Sequence, residues 1–86
     1  MILKFKEFYP NIHTSAWIAP SADLIGNIQI GEDSSVWFQC VIRADVNKVV
    51  IGKNTNIQDL SMIHTDHNTQ TIIGDNVTIG HKVMLH

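Results

Sequence analysis

Three histidines in the C-terminal half of the chain, His64, His81 and His86, have a side chain that commonly binds metals. A tetrahedral zinc site with three imidazole ligands leaves its fourth position open for water. Two nitrogens that are each about 2.0–2.1 Å from zinc lie only about 3.4 Å apart. Whether these histidines can meet therefore depends on the elements that carry them.

Aliphatic residues recur every six positions and define those elements. Three series show the period: Ile18, Leu24, Ile30, Val36 and Ile42; Ile51, Ile57 and Ile63; and Ile73, Ile79 and Leu85. The junctions between the series span nine and ten residues, so they add three and four residues to one repeat. Because hexapeptide repeats are typical of a parallel β-helix, we predict an all-β fold over residues 18–86, preceded by a lead-in segment over residues 1–17.

The other positions of the repeat agree with this prediction. Glycine often follows the aliphatic residue, and the fourth position, where a left-handed backbone would make the turn, holds Asn27, Asp33, Asp45, Asn54 and Asn76. The fifth position should point inward and holds Ala22, Ser34, Cys40, Val46, Thr55, Ser61, Val77 and Val83. We therefore expect the single cysteine to be a buried structural residue.

Three repeats make one coil of 18 residues, so residues that are 18 apart, once the insertions are removed, lie above one another. Arg43, His64 and His86 then form one column at one corner of the solenoid. Coils are about 4.8 Å apart, a spacing from which two imidazoles can converge on one metal. His81 lies at another corner, roughly 10 Å or more away, so we expect it to complete the site of a neighbouring chain in a three-fold ring.

An apolar stripe of Val41, Met62 and Met84 lies beside this column. Since the sixth position of the repeat is otherwise mostly polar, the stripe favours a subunit interface or a pocket wall over an ordinary exposed surface. A single histidine of a β-protein is more often a surface residue than a ligand, but the stacked pair with a third histidine favours a metal site. His67, in the second insertion, is expected to be solvated, and His13 is assigned no role.

The composition is that of a small globular domain. The chain has 86 residues, of which 44% are hydrophobic and 16% charged, and its net charge is −2. No basic run indicates nucleic-acid binding or an anionic membrane surface, and no segment is apolar over a length that spans a bilayer. One cysteine cannot form an internal disulfide, so we expect a cytoplasmic location.

The segments VIRADVNKVVIGKNTNIQD, SMIHTDH and TIGHKVMLH together resemble the γ-class carbonic anhydrase family. The resemblance covers nearly the whole chain and implies a left-handed β-helix of about three coils plus a partial fourth. It implies a homotrimer in which a metal-bound hydroxide attacks CO2 to give bicarbonate. It also implies that His64 and His86 of one subunit and His81 of the next bind the metal, which is expected to be Zn2+, with Fe2+ or Co2+ as alternatives.

Four further residues match positions beside the site in that family. The resemblance implies that Arg43 and Asp45 form ion pairs that maintain the subunit contacts and the active site. It implies that Gln58 orients the metal-bound water and that Asp59 pairs with the interface arginine. Asp59 also lies below His81, where it would support that ligand. On residue type alone, all four would be turn residues or surface ion pairs.

The sequence departs from active members of the family in two respects. Glutamates that serve as the proton shuttle are missing, because Val46 stands where one is expected and the loop after His64 contains none, although Asp66 or His67 could substitute. The sequence therefore favours metal binding over catalysis. Family members are also longer, with more coils and a C-terminal helix, so we expect this chain to be a fragment or a truncated product.

Two other kinds of function stay open at this point. An acyl-CoA transferase or thioesterase would use the same fold, but the acyltransferases generally need one histidine as a base rather than a stacked pair. A non-catalytic assembly subunit would keep the ligands only as a metal staple between subunits. Metal content separates the first alternative from carbonic anhydrase, and hydration activity separates the second.

Overall fold

A computed structural model describes all 86 residues, and its regular secondary structure is entirely β. The strands are β1 (Ile2–Leu3), β2 (Asn11–Ile12), β3 (Trp17–Ile18), β4 (Asp23–Ile30), β5 (Ser35–Val36), β6 (Val41–Ile51), β7 (Asn56–Ile57), β8 (Met62–His64), β9 (Thr71–Ile73), β10 (Thr78–Ile79) and β11 (Met84–Leu85). All of them pair in parallel, in a solenoid of about four turns that confirms the predicted left-handed β-helix. No helix is long and apolar enough to cross a membrane.

The strand register confirms the six-residue repeat and both insertions. The three faces stack Ile18, Val36, Ile57 and Ile79; Leu24, Ile42, Ile63 and Leu85; and Ile30, Ile51 and Ile73. The first insertion is a bulge in β6, because Gly26 pairs with Ala44 whereas Ile28 pairs with Val49. The second insertion is the loop over residues 65–70, between β8 and β9. Because β6 and β8 pair up to Arg43 and His64, the residues that follow these two lie at the same corner of the solenoid. Both insertions are therefore located at that corner.

The lead-in segment over residues 1–17 is itself part of the sheet. β1 and β2 both pair with β4, so that Ile2 lies beside Leu24 and Ile12 lies beside Ile30. Between these two strands, Phe5 and Phe8 form an antiparallel bridge. The backbone of β4 therefore has hydrogen-bonding neighbours on both sides.

Small polar residues at the fifth position connect successive coils from within. Ser34, Thr55 and Ser61 are each about 1% exposed, and their hydroxyls donate hydrogen bonds to the carbonyls of Gly52, Gly74 and Gly80. Cys40 is fully buried, as predicted, and its Sγ donates to the Gln58 carbonyl at 3.0 Å. Backbone carbonyls at the corners are thereby hydrogen-bonded to side chains of the neighbouring coil.

Val46 departs from the prediction that it points into the core. It is only half-buried, because the bulge in β6 shifts the inward position to Val49, which is fully buried opposite Ile28. The three inserted residues therefore lie inside the repeat that begins at Ile42, just before Val49. They do not come after that repeat is complete.

A left-handed backbone makes the turn at two of the three corners. Positive φ values occur at Asp33, Asn54 and Asn76, as predicted, and also at Gln39, Leu60 and Lys82. Asn27 and Asp45, at the third corner, do not have this conformation, so their prediction is wrong. There the first coil turns at Gly26, with φ of 91°, and the later coils turn through their insertions.

Glycine at the second position is explained by the coil above it. A Cβ added at Gly31 would lie 2.8 Å from the carbonyl carbon and oxygen of Gly52, whereas one added at Gly74 would meet nothing within 4 Å. We expect Gly31→Ala to lower the free energy of unfolding by about 1–3 kcal/mol through overpacking. Gly74→Ala, on the same face, is the matched control and should be neutral or stabilising by about 0.4–1 kcal/mol. Urea denaturation checks both, and equal losses at the two positions would contradict the explanation.

The burial of Cys40 gives a second prediction. The thiol should not react with Ellman's reagent in the folded chain and should react fully in urea. Cys40→Ser keeps a donor for the Gln58 carbonyl, whereas Cys40→Val removes it and should cost about 1–3 kcal/mol more. Rapid labelling of the native chain would be incompatible with this packing.

Candidate metal centre

The structure brings His64 and His86 together. Their ring centroids are 5.1 Å apart and their planes differ by 22°, because β8 and β11 pair in register. Arg43 lies beside His64 in the next coil down. The predicted column of Arg43, His64 and His86 is therefore present, while metal binding by it stays a prediction.

Asp45 connects two members of this column. Its Oδ1 accepts a hydrogen bond of 2.9 Å from Nε2 of His64, and its Oδ2 accepts one of 3.0 Å from Nη1 of Arg43. The carboxylate side chain is only 16% exposed. Burial opposes its ionisation, but the hydrogen bonds from His64 and the backbone and the charges of Arg43 and His64 outweigh burial and lower the pKa of Asp45 from its usual 3.8. The anionic carboxylate thus fixes the orientation of His64.

His81 lies at a different corner, beside Asp59. Its Nε2 is 3.7 Å from Oδ1 of Asp59, an ion pair when the imidazole is protonated, and its side chain is 68% exposed. Within one chain the structure forms no group of three His, Cys, Asp or Glu side chains that could hold a metal. A site made of His64, His81 and His86 would therefore contain residues of two chains.

Gln58 belongs to the corner of His81 and not to that of the stacked pair. It follows Ile57, which pairs with Ile79, two residues before His81. Its Nε2 donates a hydrogen bond of 2.6 Å to Asn56 Oδ1. The role that the resemblance implies for Gln58 therefore also depends on a neighbouring chain.

The two remaining histidines belong neither to the stacked pair nor to the contact between His81 and Asp59. His67 is exposed in the loop over residues 65–70, where its backbone carbonyl accepts a hydrogen bond from Asn47 Nδ2 at 3.2 Å. The ring of His13 forms its hydrogen bonds with Ser15, two residues along the chain. The expectation that His67 is solvated is confirmed.

A cavity of about 230 Å³ lies beside Asp45 and was not predicted from the sequence. Phe8, Asn27, Val46 and Asn47 are among the residues that line it. Phe8 comes from the lead-in segment, Asn27 from β4, and Asp45, Val46 and Asn47 from the bulge in β6. The sequence did carry a signal for the Arg43–Asp45 pair, since residues two apart on a strand point to the same side.

The apolar stripe is a continuous outer row. Val41 pairs with Met62 and Met62 pairs with Met84, so the three side chains lie one above another. Met84 is 74% exposed, while Val41 and Met62 are half-buried. The predicted outward stripe is confirmed, and its use as an interface stays a prediction.

The chemistry of the donor set suits zinc, although the rings must turn to use it. With Nε2 donating to Asp45, a neutral His64 has its lone pair on Nδ1, the nitrogen left for a metal. A histidine ligand whose other nitrogen donates to a carboxylate is the usual arrangement at metal sites. Because the two rings are nearly parallel, His86 would have to rotate towards His64 for both to bind one ion.

Comparisons with known proteins agree with this architecture. No protein-family model matches the chain. It is 50% identical over all 86 residues to "Uncharacterized transferase YtoA" of Bacillus subtilis and covers 50% of that protein. It is 48% identical, again over 86 residues, to "Carbonic anhydrase" of Geobacillus kaustophilus, of which it covers 47%. The crystal structure of a hexapeptide transferase family protein from Anaplasma phagocytophilum superposes with a TM-score of 0.94 at 40% identity, over 99% of this chain and 49% of that one.

The fold and the site together define a hexapeptide-repeat protein with a left-handed β-helix. Within that class the chain is homologous to proteins named γ carbonic anhydrase, which confirms the resemblance seen in its motifs. It is 49% identical over 83 residues to "Gamma carbonic anhydrase 1, mitochondrial" of Arabidopsis thaliana, of which it covers 30%. The chain spans about half the length of the Bacillus subtilis and Geobacillus kaustophilus relatives.

The contact between Asp45 and His64 predicts a pH-dependent loss of stability. Asp45→Asn should lower the free energy of unfolding by about 1 kcal/mol at pH 7, because the variant loses the charge-assisted hydrogen bonds. The folded state lowers the pKa of Asp45, so the contribution is present above the usual value of 3.8 and disappears as the pH falls through the lower folded value. Urea titrations at several pH values measure it. Asp66→Asn, in the exposed loop, is the control, and equal effects of both changes at pH 7 would refute the role of Asp45.

Proposed function

We propose that this chain is part of a γ-carbonic anhydrase-like metalloprotein that hydrates CO2 to bicarbonate. The proposal is carried by the stacked pair of His64 and His86, with the Asp45 carboxylate on one of them. The homology of the chain to a protein named carbonic anhydrase, at 48% identity, supports the same reaction. In this proposal, Zn2+ is held by His64 and His86 of one chain and by His81 of a second chain, with Fe2+ or Co2+ as alternatives.

The metal would supply a Lewis acid that makes a hydroxide nucleophile available near neutral pH. The contributions of the chain itself are positional. Asp45 holds the ring of His64 and keeps a proton on Nε2, and Arg43 keeps Asp45 ionised. Gln58 and Asp59 would reach the site together with His81, because all three share one corner.

Proton release to solvent is the step for which this chain offers the fewest groups. The loop that follows His64 exposes Asp66 and His67. The imidazole of histidine can both accept and donate a proton, which suits a shuttle, and we assign that role to His67 ahead of Asp66. Replacement of His67 should lower the hydration rate without altering the bound metal.

We propose a homotrimer as the functional assembly. His81 lies at a different corner from the stacked pair of its own chain, so each site would require a second copy, and a closed ring would use all three proposed ligands of every chain. The apolar stripe that ends at Met84 lies between His81 and His86 along the outer surface. It would be covered in such an assembly.

Mixing two variants tests whether the site is shared between chains. His81→Ala and His64→Ala should each lose nearly all bound zinc, because each lacks one of three ligands. When the two are unfolded together and refolded, some interfaces combine His64 and His86 of one chain with His81 of the other, and zinc binding should return at part of the sites. Zinc per chain after gel filtration, measured by atomic emission, is the readout.

His13→Ala is the matched control for that experiment and should keep its zinc alone and in mixtures. Full zinc retention by His81→Ala would contradict the ligand set. No recovery in mixed oligomers of demonstrated mixed composition would contradict a site shared between chains.

One relative carries the name of a transferase, so acyl transfer from CoA is the second candidate. It predicts that chelation of metal leaves the activity intact, whereas hydration should be abolished. Assays of CO2 hydration and acyl-CoA turnover, before and after chelation, separate the two candidates.

A further inference from the structure

Three large aromatic side chains form an exposed cluster at the corner that carries His81. The ring centroids of Trp17 and Trp37 are 4.8 Å apart, and Phe38 lies 5.9 Å from Trp17 and 6.1 Å from Trp37. Trp17 is 44% and Phe38 46% exposed. This aromatic cluster (Trp17, Trp37 and Phe38) leaves a large apolar area in contact with water, which is typical of an interaction site.

Phe38 stacks directly below the residues already assigned to the proposed interface. The amide of Leu60 donates to the carbonyl of Phe38, and the amide of Lys82 donates to the carbonyl of Asp59. Phe38, Asp59 and His81 are therefore equivalent residues of successive coils, and they form the His81 column. The corner opposite to it in the proposed assembly is the His64 column, which contains Ile25, Arg43, His64 and His86.

The heights of the two columns determine how two copies fit together. A β-helix climbs about 4.8 Å per coil and hence about 1.6 Å from one face to the next. The repeat that carries His81 begins at Ile79, one face below the repeat that carries His86 and two faces above that of His64. His81 therefore lies at a height between His64 and His86. A second copy related by rotation alone, without translation along the solenoid, brings His81 between the two rings, and such an interface closes into a ring.

The same rotation sets the partners of the rest of the His81 column. Asp59 falls between Arg43 and His64 of the second copy, so that an acidic side chain meets a basic one. Phe38 falls between Ile25 and Arg43 of the second copy. Ile25 is half-buried and Arg43 is exposed, so both are accessible to an aromatic ring. Ile25 would form an apolar contact with the ring, and Arg43 a cation–π contact.

We propose that the aromatic cluster is the docking surface for Ile25 and Arg43 of a second copy of this chain. The inference rests on the proposed function, since the shared metal site is what orients the two copies. Most of the binding energy between two copies should come from the contact of Phe38 with Ile25 and Arg43, which lies two coils below the proposed metal site. The reason is that interface energy concentrates in buried aromatic and arginine residues. Self-association should therefore persist without zinc.

Loss of the aromatic cluster tests its contribution to assembly. In EDTA, Phe38→Ser should raise the dissociation constant of the oligomer at least about tenfold, whereas Ile72→Ser should leave it unchanged. Ile72 is 63% exposed on another face and is the matched control. Sedimentation velocity over a concentration series measures both, and the emission of Trp17 and Trp37 should shift to shorter wavelength as the wild-type chain associates.

Cross-linking tests the partner residue directly. A chain with Phe38→Cys and Ile25→Cys, held at a protein concentration above its dissociation constant and treated with a short bis-maleimide, should give covalent dimers and trimers, since Cys40 is buried and does not compete. The high concentration offsets the weaker association that loss of the Phe38 ring causes. The pair Phe38→Cys and Ile72→Cys should remain mostly uncoupled at the same protein concentration.

The outcomes separate the two proposals. A zinc-bearing trimer whose affinity is equal for Phe38→Ser and Ile72→Ser, with no preferred cross-link to position 25, would overturn this inference and leave the metal site intact. A cross-linked oligomer that binds no zinc would overturn the proposed function and support the docking surface. A chain that stays monomeric at all concentrations would overturn both.

Discussion

Parallel backbone pairing between coils is the interaction on which every other feature of this chain depends. Each coil has no helix or second sheet against which to pack, so its strands are fixed only by the coils above and below and by the aliphatic side chains between them. A regular repeat is required because one displaced residue would turn an inward isoleucine outward. The glycines and buried hydroxyls at the corners serve the same requirement, since successive coils approach closely there.

The candidate site lies where two insertions interrupt the repeat. Both insertions occur at the corner after the His64 column, and the register resumes beyond them. The bulge places Asp45 beside His64. Stacking then brings His64 and His86 to adjacent levels at no further conformational cost. The regular part of the solenoid thus positions the two histidines, and the irregular corner supplies Asp45, which contacts His64.

The core and the histidine column were predictable because both follow from counting residues. Ile42, Ile63 and Leu85 had to stack once the six-residue period was recognised, and the residues that follow them stack as well. Three features were not predictable. The pairing of Ile2 with Leu24 was missed because residues 1–11 have no regular spacing, although Ile12 itself continues the six-residue series back from Ile18. The left-handed backbone of Leu60 was missed because coil stacking overrides its intrinsic preference. The contact between Asp45 and His64 depends on where the bulge falls, and the period alone does not determine that.

The central claim is that two copies of the chain must meet to complete one metal site. Native mass spectrometry of the 86-residue chain with a slight excess of Zn2+ tests it most directly, because oligomer mass and bound metal are read from the same ion. The account predicts a trimer that carries three zinc ions and that loses them on replacement of His81. A monomer that binds one zinc through its own histidines would contradict it.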